Sequence, residues 1–145
     1  MQARWRRART VLVVDDDRSY RAMIGQVLEA LGADVLEAGD GYQGIGFLCR
    51  RGPGIALLIV DSQMPGLHGW DVIRYARMKT PTLRVLRLGC PRDPVPGPAY
   101  EGLEMLPALA KPFTPSALVA MLPSSIRIGG RRPTGSARRR LPEGT

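Results

Sequence analysis

Cysteine and histidine are scarce in this chain: two cysteines, Cys49 and Cys90, and one histidine, His68, in 145 residues. The cysteines lie far apart and form no CxxC pair, so neither a disulfide framework nor a thiolate metal site is suggested. A reducing cytoplasmic setting is the default expectation. His68 has no partner at catalytic spacing and reads as a solvated loop residue. No apolar run approaches the roughly 20 residues of a membrane-spanning helix, so no membrane insertion is expected. The basic start resembles the n-region of a signal peptide. Only Val11 to Val14 follow it before three aspartates, so no h-region exists. Aromatic residues make up 6% and do not interleave with the basic ones, which removes the pattern of sequence-specific nucleic-acid readout. Acidic residues are the minority charge, 13 against 21 Lys and Arg.

The basic excess sits at the ends. Arg4, Arg6, Arg7 and Arg9 crowd the start, and Arg127, Arg131, Arg132, Arg138, Arg139 and Arg140 crowd the finish. Such runs support at most salt-sensitive, non-specific nucleic-acid binding, and solvated tails are the simpler reading. The length suits one domain. We expect a basic arm over 1–9, a folded domain over 10–122, and a disordered Arg/Gly/Pro-rich tail over 123–145.

What the chain does contain is an apolar run, Ile55 to Val60, that stops at Asp61 and passes into Met64-Pro65-Gly66. That is the pattern of a strand buried on both faces, with a carboxylate at its carboxyl end. Open α/β sheets place their ligands at that edge. Val11 to Val14 form a similar strand running into Asp15-Asp16-Asp17. Apolar residues from Tyr20 to Leu31 recur at helical steps behind Asp17 or Ser19 as N-cap, with Gly32 as the stop. Asp34 to Ala38 read as a second strand. Tyr42, Ile45, Phe47 and Leu48 suggest a helix, ended by Gly52-Pro53-Gly54. Trp70 to Arg77 carry a third helix, with Trp70 as a packing residue, and Leu83 to Leu88 a fourth strand interrupted by Arg84 and Arg87. This β-α alternation predicts a parallel sheet covered on both faces. Five prolines between 91 and 107 forbid a continuous fourth helix; Ala99 to Met105 can make one or two turns. Ala108 to Ala110 would be a short fifth strand, and Thr114-Pro115 opens a final helix.

The chemistry follows from Asp61. A carboxylate attacking phosphorus is a weak nucleophile, and its target is already anionic. A divalent cation must neutralise the pair, and Mg2+ takes one or two carboxylates with phosphate oxygens and water. Asp15 and Asp16 would supply carboxylates, and Lys111 a point charge on the phosphoryl oxygens. Asp17 is better read as a helix cap.

Val-Val-Asp15-Asp16, Asp61 with Met64-Pro65-Gly66 and Gly69, and Lys111-Pro112-Phe113 together resemble the receiver domain of bacterial two-component response regulators, in a single-domain form like the chemotaxis regulator. The resemblance runs from Thr10 to Leu122. It implies an α/β flavodoxin-like doubly wound sheet of five parallel strands, order 2-1-3-4-5. It makes Asp61 the phosphoacceptor, Asp16 a direct Mg2+ ligand, Asp15 a ligand through water, and the Gln63 backbone carbonyl the remaining protein ligand. Lys111 would contact the phosphoryl group, with a cis Lys111–Pro112 bond. The implied partners are a histidine kinase or phosphotransfer protein and a downstream protein. Receivers are signalling modules, catalysing only their own phosphorylation and dephosphorylation. Two positions depart from the pattern. Gly89 stands where a Thr or Ser hydroxyl is expected, and Ala108 where the switch aromatic is expected. With a degraded fourth helix, these open a second reading, a phosphorylation-independent binding module. A third is a phosphohydrolase using Asp15 and Asp17 through an aspartyl-phosphate.

Overall fold

The computed structural model describes residues 9–127 and 139–140. β1 (Thr10–Val14) is buried along its whole length, as expected of a central strand with helices on both sides. α1 (Arg18–Ala30) starts where the Asp17 side chain accepts from the Ser19 and Tyr20 N–H groups, and it ends just before Gly32, whose φ is 90°. There follow β2 (Asp34–Ala38), α2 (Gly41–Arg51), a 3-10 turn at Gly52–Gly54, and β3 (Ile55–Asp61). α3 (Gly69–Lys79), β4 (Arg84–Leu88), β5 (Ala108–Leu109), α4 (Pro115–Met121), α5 (Ser124–Arg127) and β6 (Arg139–Arg140) complete the order.

All pairings are parallel, and the strands lie in the order β5-β4-β3-β1-β2-β6. The five expected strands take the expected order, 2-1-3-4-5. Alternate residues feed two cores. Leu12, Val14, Leu58 and Val60 pack with Phe47, Leu48, Trp70 and Ile73 from α2 and α3. Val11, Val13, Leu57 and Ile59 pack with Ile24, Leu28, Leu118 and Ile126 from α1, α4 and α5. Each fully buried aliphatic side chain contributes about 1.5–3 kcal/mol, so this double-faced sheet is the rigid base of everything at its edge.

Four expectations need correction. The tail does not begin at Pro123: α5 follows it and Ile126 is buried against the α1 side, because one apolar residue in a polar segment suffices to dock a turn. A two-residue sixth strand, Arg139–Arg140, pairs with Leu36 and Glu37 of β2, since backbone pairing at a sheet edge requires no apolar period. Tyr42 is not on the core face of its helix but 70% exposed, the apolar stripe of α2 passing through Gly44, Phe47 and Leu48 instead. Arg87 does not interrupt β4 but lies within it, fully buried. The remaining positions expected in the basic arm and tail (1–8, 128–138 and 141–145) lie outside the described residues. Between β4 and β5 the prolines leave two short 3-10 turns, Pro98–Tyr100 and Leu103–Met105.

Candidate functional site: an acidic edge closed by one lysine

β1 and β3 are neighbours, and the connections leaving their carboxyl ends part to opposite faces, which opens a crevice there. Asp15 follows β1 and Asp61 ends β3, so both carboxylates come to this crevice from rigid strands. Asp15 is held by its own backbone: its N–H donates to the Ala38 carbonyl at 3.1 Å, and its Oδ1 accepts from the Asp17 N–H at 2.8 Å. Asp61 Oδ1 accepts from the Gln63 N–H at 2.8 Å. The loop after it returns closely. A Cβ at Gly69 would lie 1.8 Å from the Asp61 carbonyl oxygen, so no other residue fits there.

Lys111 stands two residues beyond the end of β5, and the Lys111–Pro112 peptide that follows it is cis. Its Nζ lies 2.8 Å from Asp15 Oδ2 and donates to Asp61 Oδ2 at 3.0 Å. The same ammonium sits 4.5 Å from the centroid of the Tyr20 ring, which packs against Phe113. Tyr20 had only a helical-stripe signal in the sequence. Its role beside Lys111 follows from α1 starting directly below the Asp15 turn. Asp16 is exposed, and a carboxylate oxygen from each of Asp15, Asp16 and Asp61 lies within 4.8 Å of the others.

The electrostatics are those of an underneutralised anion cluster. Burial pushes the Asp15 carboxyl above its ordinary value; Lys111 and the Asp17 N–H oppose that shift, and Asp61 adds to it. For Lys111, burial works against the charge, but hydrogen bonds to Asp15 and Asp61 outweigh it and the pKa rises. Asp15 and Asp61 thus face Lys111, with the exposed Asp16 carboxylate beside them, a group of hard oxygen donors. That donor set fits Mg2+ rather than a soft metal.

Residues 11–123 match the family model for the response regulator receiver domain. The chain belongs to that family. It is 33% identical over 119 residues to the transcriptional regulatory protein CpxR of Escherichia coli (strain K12), covering 81% of this chain and 49% of that protein. It is 34% identical over 119 residues to the DNA-binding response regulator MtrA of Mycobacterium leprae (strain TN), covering 81% of this chain and 51% of that one. The chain therefore spans about half the length of these curated relatives. Among solved structures, the chemotaxis protein CheY4 of Vibrio cholerae is similar at 28% identity and a TM-score of 0.63, over 77% of this chain and 92% of that one. A response regulator receiver domain from Clostridium thermocellum gives 28% identity and a TM-score of 0.66, over 81% and 93%.

In this receiver domain Gly89 and Ala108 both adjoin one residue of β4. Arg87 pairs in register with Ala108 on β5, and its Nη1 lies 2.9 Å from where a Cβ at Gly89 would stand. Sequence reading missed Arg87 as a site-edge residue. The available signal was a charge between Leu86 and Leu88 in an otherwise apolar strand. Gln63 is exposed, His68 is an exposed residue at the start of α3 whose side chain makes no capping bond, and both cysteines are exposed. Among the described residues, no helix is long and apolar enough to cross a membrane.

Proposed function

We propose that this receiver domain accepts a phosphoryl group on Asp61, with Mg2+ held by Asp16, Asp15, Asp61 and the Gln63 backbone carbonyl. The observation that carries the reading is the convergence of Asp15 and Asp61 on Lys111 Nζ, with Asp16 completing the acidic group. Transfer forms an Oδ–P bond on Asp61 and breaks the bond from phosphorus to the donor's leaving group, P–O in acetyl phosphate and P–N in a phosphorylated histidine. With acetyl phosphate, acetate departs with the electron pair; with a phosphorylated histidine, the imidazole nitrogen does. Bound Mg2+ supplies charge neutralisation between the carboxylate and the incoming anion. Lys111 leaves Asp61 Oδ2 to meet the phosphoryl oxygens, while the Gln63 N–H keeps the other carboxylate oxygen in place.

The partners on this reading are a histidine kinase or phosphotransfer protein as donor and a downstream protein that reads the phosphorylated face. The domain acts as a signalling module, not as a turnover enzyme. The phosphohydrolase alternative is disfavoured by Asp17, whose carboxylate is engaged by the Ser19 and Tyr20 N–H groups and stands outside the three-carboxylate group.

The deciding experiment is intact-protein mass after incubation with acetyl phosphate and Mg2+. The expected result is a phosphoryl adduct on the wild type, and none on Asp61→Asn or after chelation. Folded wild-type protein that binds Mg2+ but takes no adduct would assign the domain instead as a phosphorylation-independent binding module.

A further inference from the structure

Arg87 is a cation in the core. Its side chain is fully buried, and its guanidinium lies over Trp70, 4.7 Å from the ring centroid. Nη2 donates to the Cys90 carbonyl at 3.0 Å. The other contacts are slack. Nη1 reaches Ser62 Oγ at 3.4 Å and Asp93 Oδ2 at 3.8 Å, and Nε has no hydrogen-bond partner among the described residues. Burial lowers the guanidinium pKa, with Asp93 and Cys90 acting against that shift. A guanidinium offers five donors in a planar fork, and one this buried ordinarily meets a close anion. Among the described residues, the nearest carboxylate stands off at 3.8 Å and one close acceptor, the Cys90 carbonyl, is met.

The surroundings are cut to fit it. A Cβ at Gly89 would lie 2.9 Å from Arg87 Nη1, 2.9 Å from Ser62 Oγ and 3.2 Å from Asp93 Oδ2. A Thr or Ser at 89 and the guanidinium of Arg87 therefore compete for one space. Ala108 pairs in register with Arg87 on β5 and brings no more than a methyl group to that position. The guanidinium touches Ser62, the residue that follows Asp61, and Leu88, next to Arg87 in β4, pairs with Asp61.

We propose that Arg87 takes the place of the missing hydroxyl. It senses the phosphoryl group on Asp61 and passes the event to the segment 90–95. This rests on the phosphorylation of Asp61 proposed above. A dianionic group on Asp61 draws the underused fork toward it, a pairing Arg geometry favours. Nη1 then gives up Ser62 and Asp93, and Nη2 its hold on the Cys90 carbonyl. The 90–95 segment keeps its internal bonds, Cys90 N–H to Asp93 Oδ2 and Asp93 N–H to the Cys90 carbonyl, both at 3.0 Å, and the packing of Val95. Arg87 is thus a positioning and sensing residue, and Trp70 beneath it is a built-in reporter.

The test uses the full chain with Trp5→Phe, leaving Trp70 as the fluorophore, with acetyl phosphate and Mg2+. Hydrogen exchange is scored only on adduct-bearing molecules. The expected result is a change in Trp70 emission and exchange at least about threefold faster at the Cys90, Arg92, Asp93 and Val95 amides. In Arg87→Met both responses disappear from molecules that carry the adduct. In Arg87→Lys, which restores a cation at the same position, a loop response returns. A loss of packing alone would not be rescued in this way. Adduct-bearing Arg87→Met that responds like the wild type overturns the inference while leaving the Asp61 site intact. A wild type that takes no adduct removes the Asp61 reading and this inference with it. Should Arg87→Met not fold, the Arg87 Nε–H resonance of the wild type decides, with beryllofluoride as the phosphoryl mimic. A shift supports the sensor, and an unmoved resonance overturns it.

Discussion

Among the described residues, Lys111 is the one cation paired with the carboxylates of Asp15 and Asp61, at 2.8 and 3.0 Å. Replacing it with Met keeps the bulk and removes the charge. Phosphoryl uptake from acetyl phosphate should fall at least about tenfold, equivalent to about 1.4 kcal/mol of transition-state stabilisation. Mg2+ should bind more tightly at the same time, because the internal competitor is gone, and calorimetric titration reads this directly. Unchanged uptake would make Lys111 a structural ion-pair partner only. Asp17 makes the opposite case. Its side chain caps α1, so Asp17→Ala should lower stability by about 0.5–2 kcal/mol in urea unfolding. Uptake on Asp61 should be untouched; loss of uptake without loss of fold would revive the Asp15/Asp17 hydrolase reading.

Among elements, the stretch between β4 and β5 and the turn after Pro123 depart most from a regular β-α alternation. Prolines break the former into two 3-10 turns, and Tyr100 ties it to α3 by donating to Asp71 Oδ1. That hydrogen bond, followed by burial and the Asp71 charge, raises the Tyr100 pKa, with Arg74 opposing. The sign follows: the native chain holds this proton to higher pH than the unfolded chain. The tether's contribution is therefore complete below the ordinary value of 10.0 and lost as pH rises through the raised one. Tyr75, beside Cys49, is raised as well, so absorbance titration of tyrosinate should lose one of its late-ionising groups, not all, in Tyr100→Phe. Faster exchange in residues 98–105 should accompany its ionisation. At the other end, Ile126 is 1% exposed, and its carbonyl accepts from Arg9. Ile126→Ala should cost about 2–5 kcal/mol, as for other large-to-small changes in a core. A cost near zero would return α5 to the tail.

For the molecule as a whole, Mg2+ bound at the acidic edge would link binding to folding. Mg2+ held by the native edge alone should stabilise the chain by about 2.7 kcal/mol at 100 times its dissociation constant. Urea midpoints with and without Mg2+ measure this, and Asp16→Asn should erase most of the difference while leaving the metal-free midpoint near the wild type. A midpoint that ignores Mg2+ would deny the cluster a metal role.

The sequence by itself determined the layers of this protein. Apolar runs stopping at Asp15 and Asp61, the helical stripe from Tyr20 to Leu31, and the turn chemistry of Gly32, Gly52-Pro53-Gly54 and Thr114-Pro115 are local signals. Backbone geometry ties each to a strand, helix or turn wherever it falls. The three separated motifs also marked Asp15, Asp16, Asp61 and Lys111 as one group before any fold was seen. Tertiary structure alone decided what depends on register between distant strands. Arg87 looked like a break in β4, because a charge in an apolar run reads as exposed; it is buried because Trp70, Ser62 and the Cys90 carbonyl happen to surround it. Gly89 and Ala108 read as two separate departures, yet one lies against the Arg87 guanidinium and the other pairs in register with Arg87. Ile126 looked like part of a tail because one apolar residue has no period, and burial against a neighbouring helix is a property of the neighbour. Periodicity carries the elements of this chain, but the partners of its isolated residues are set only when the sheet closes.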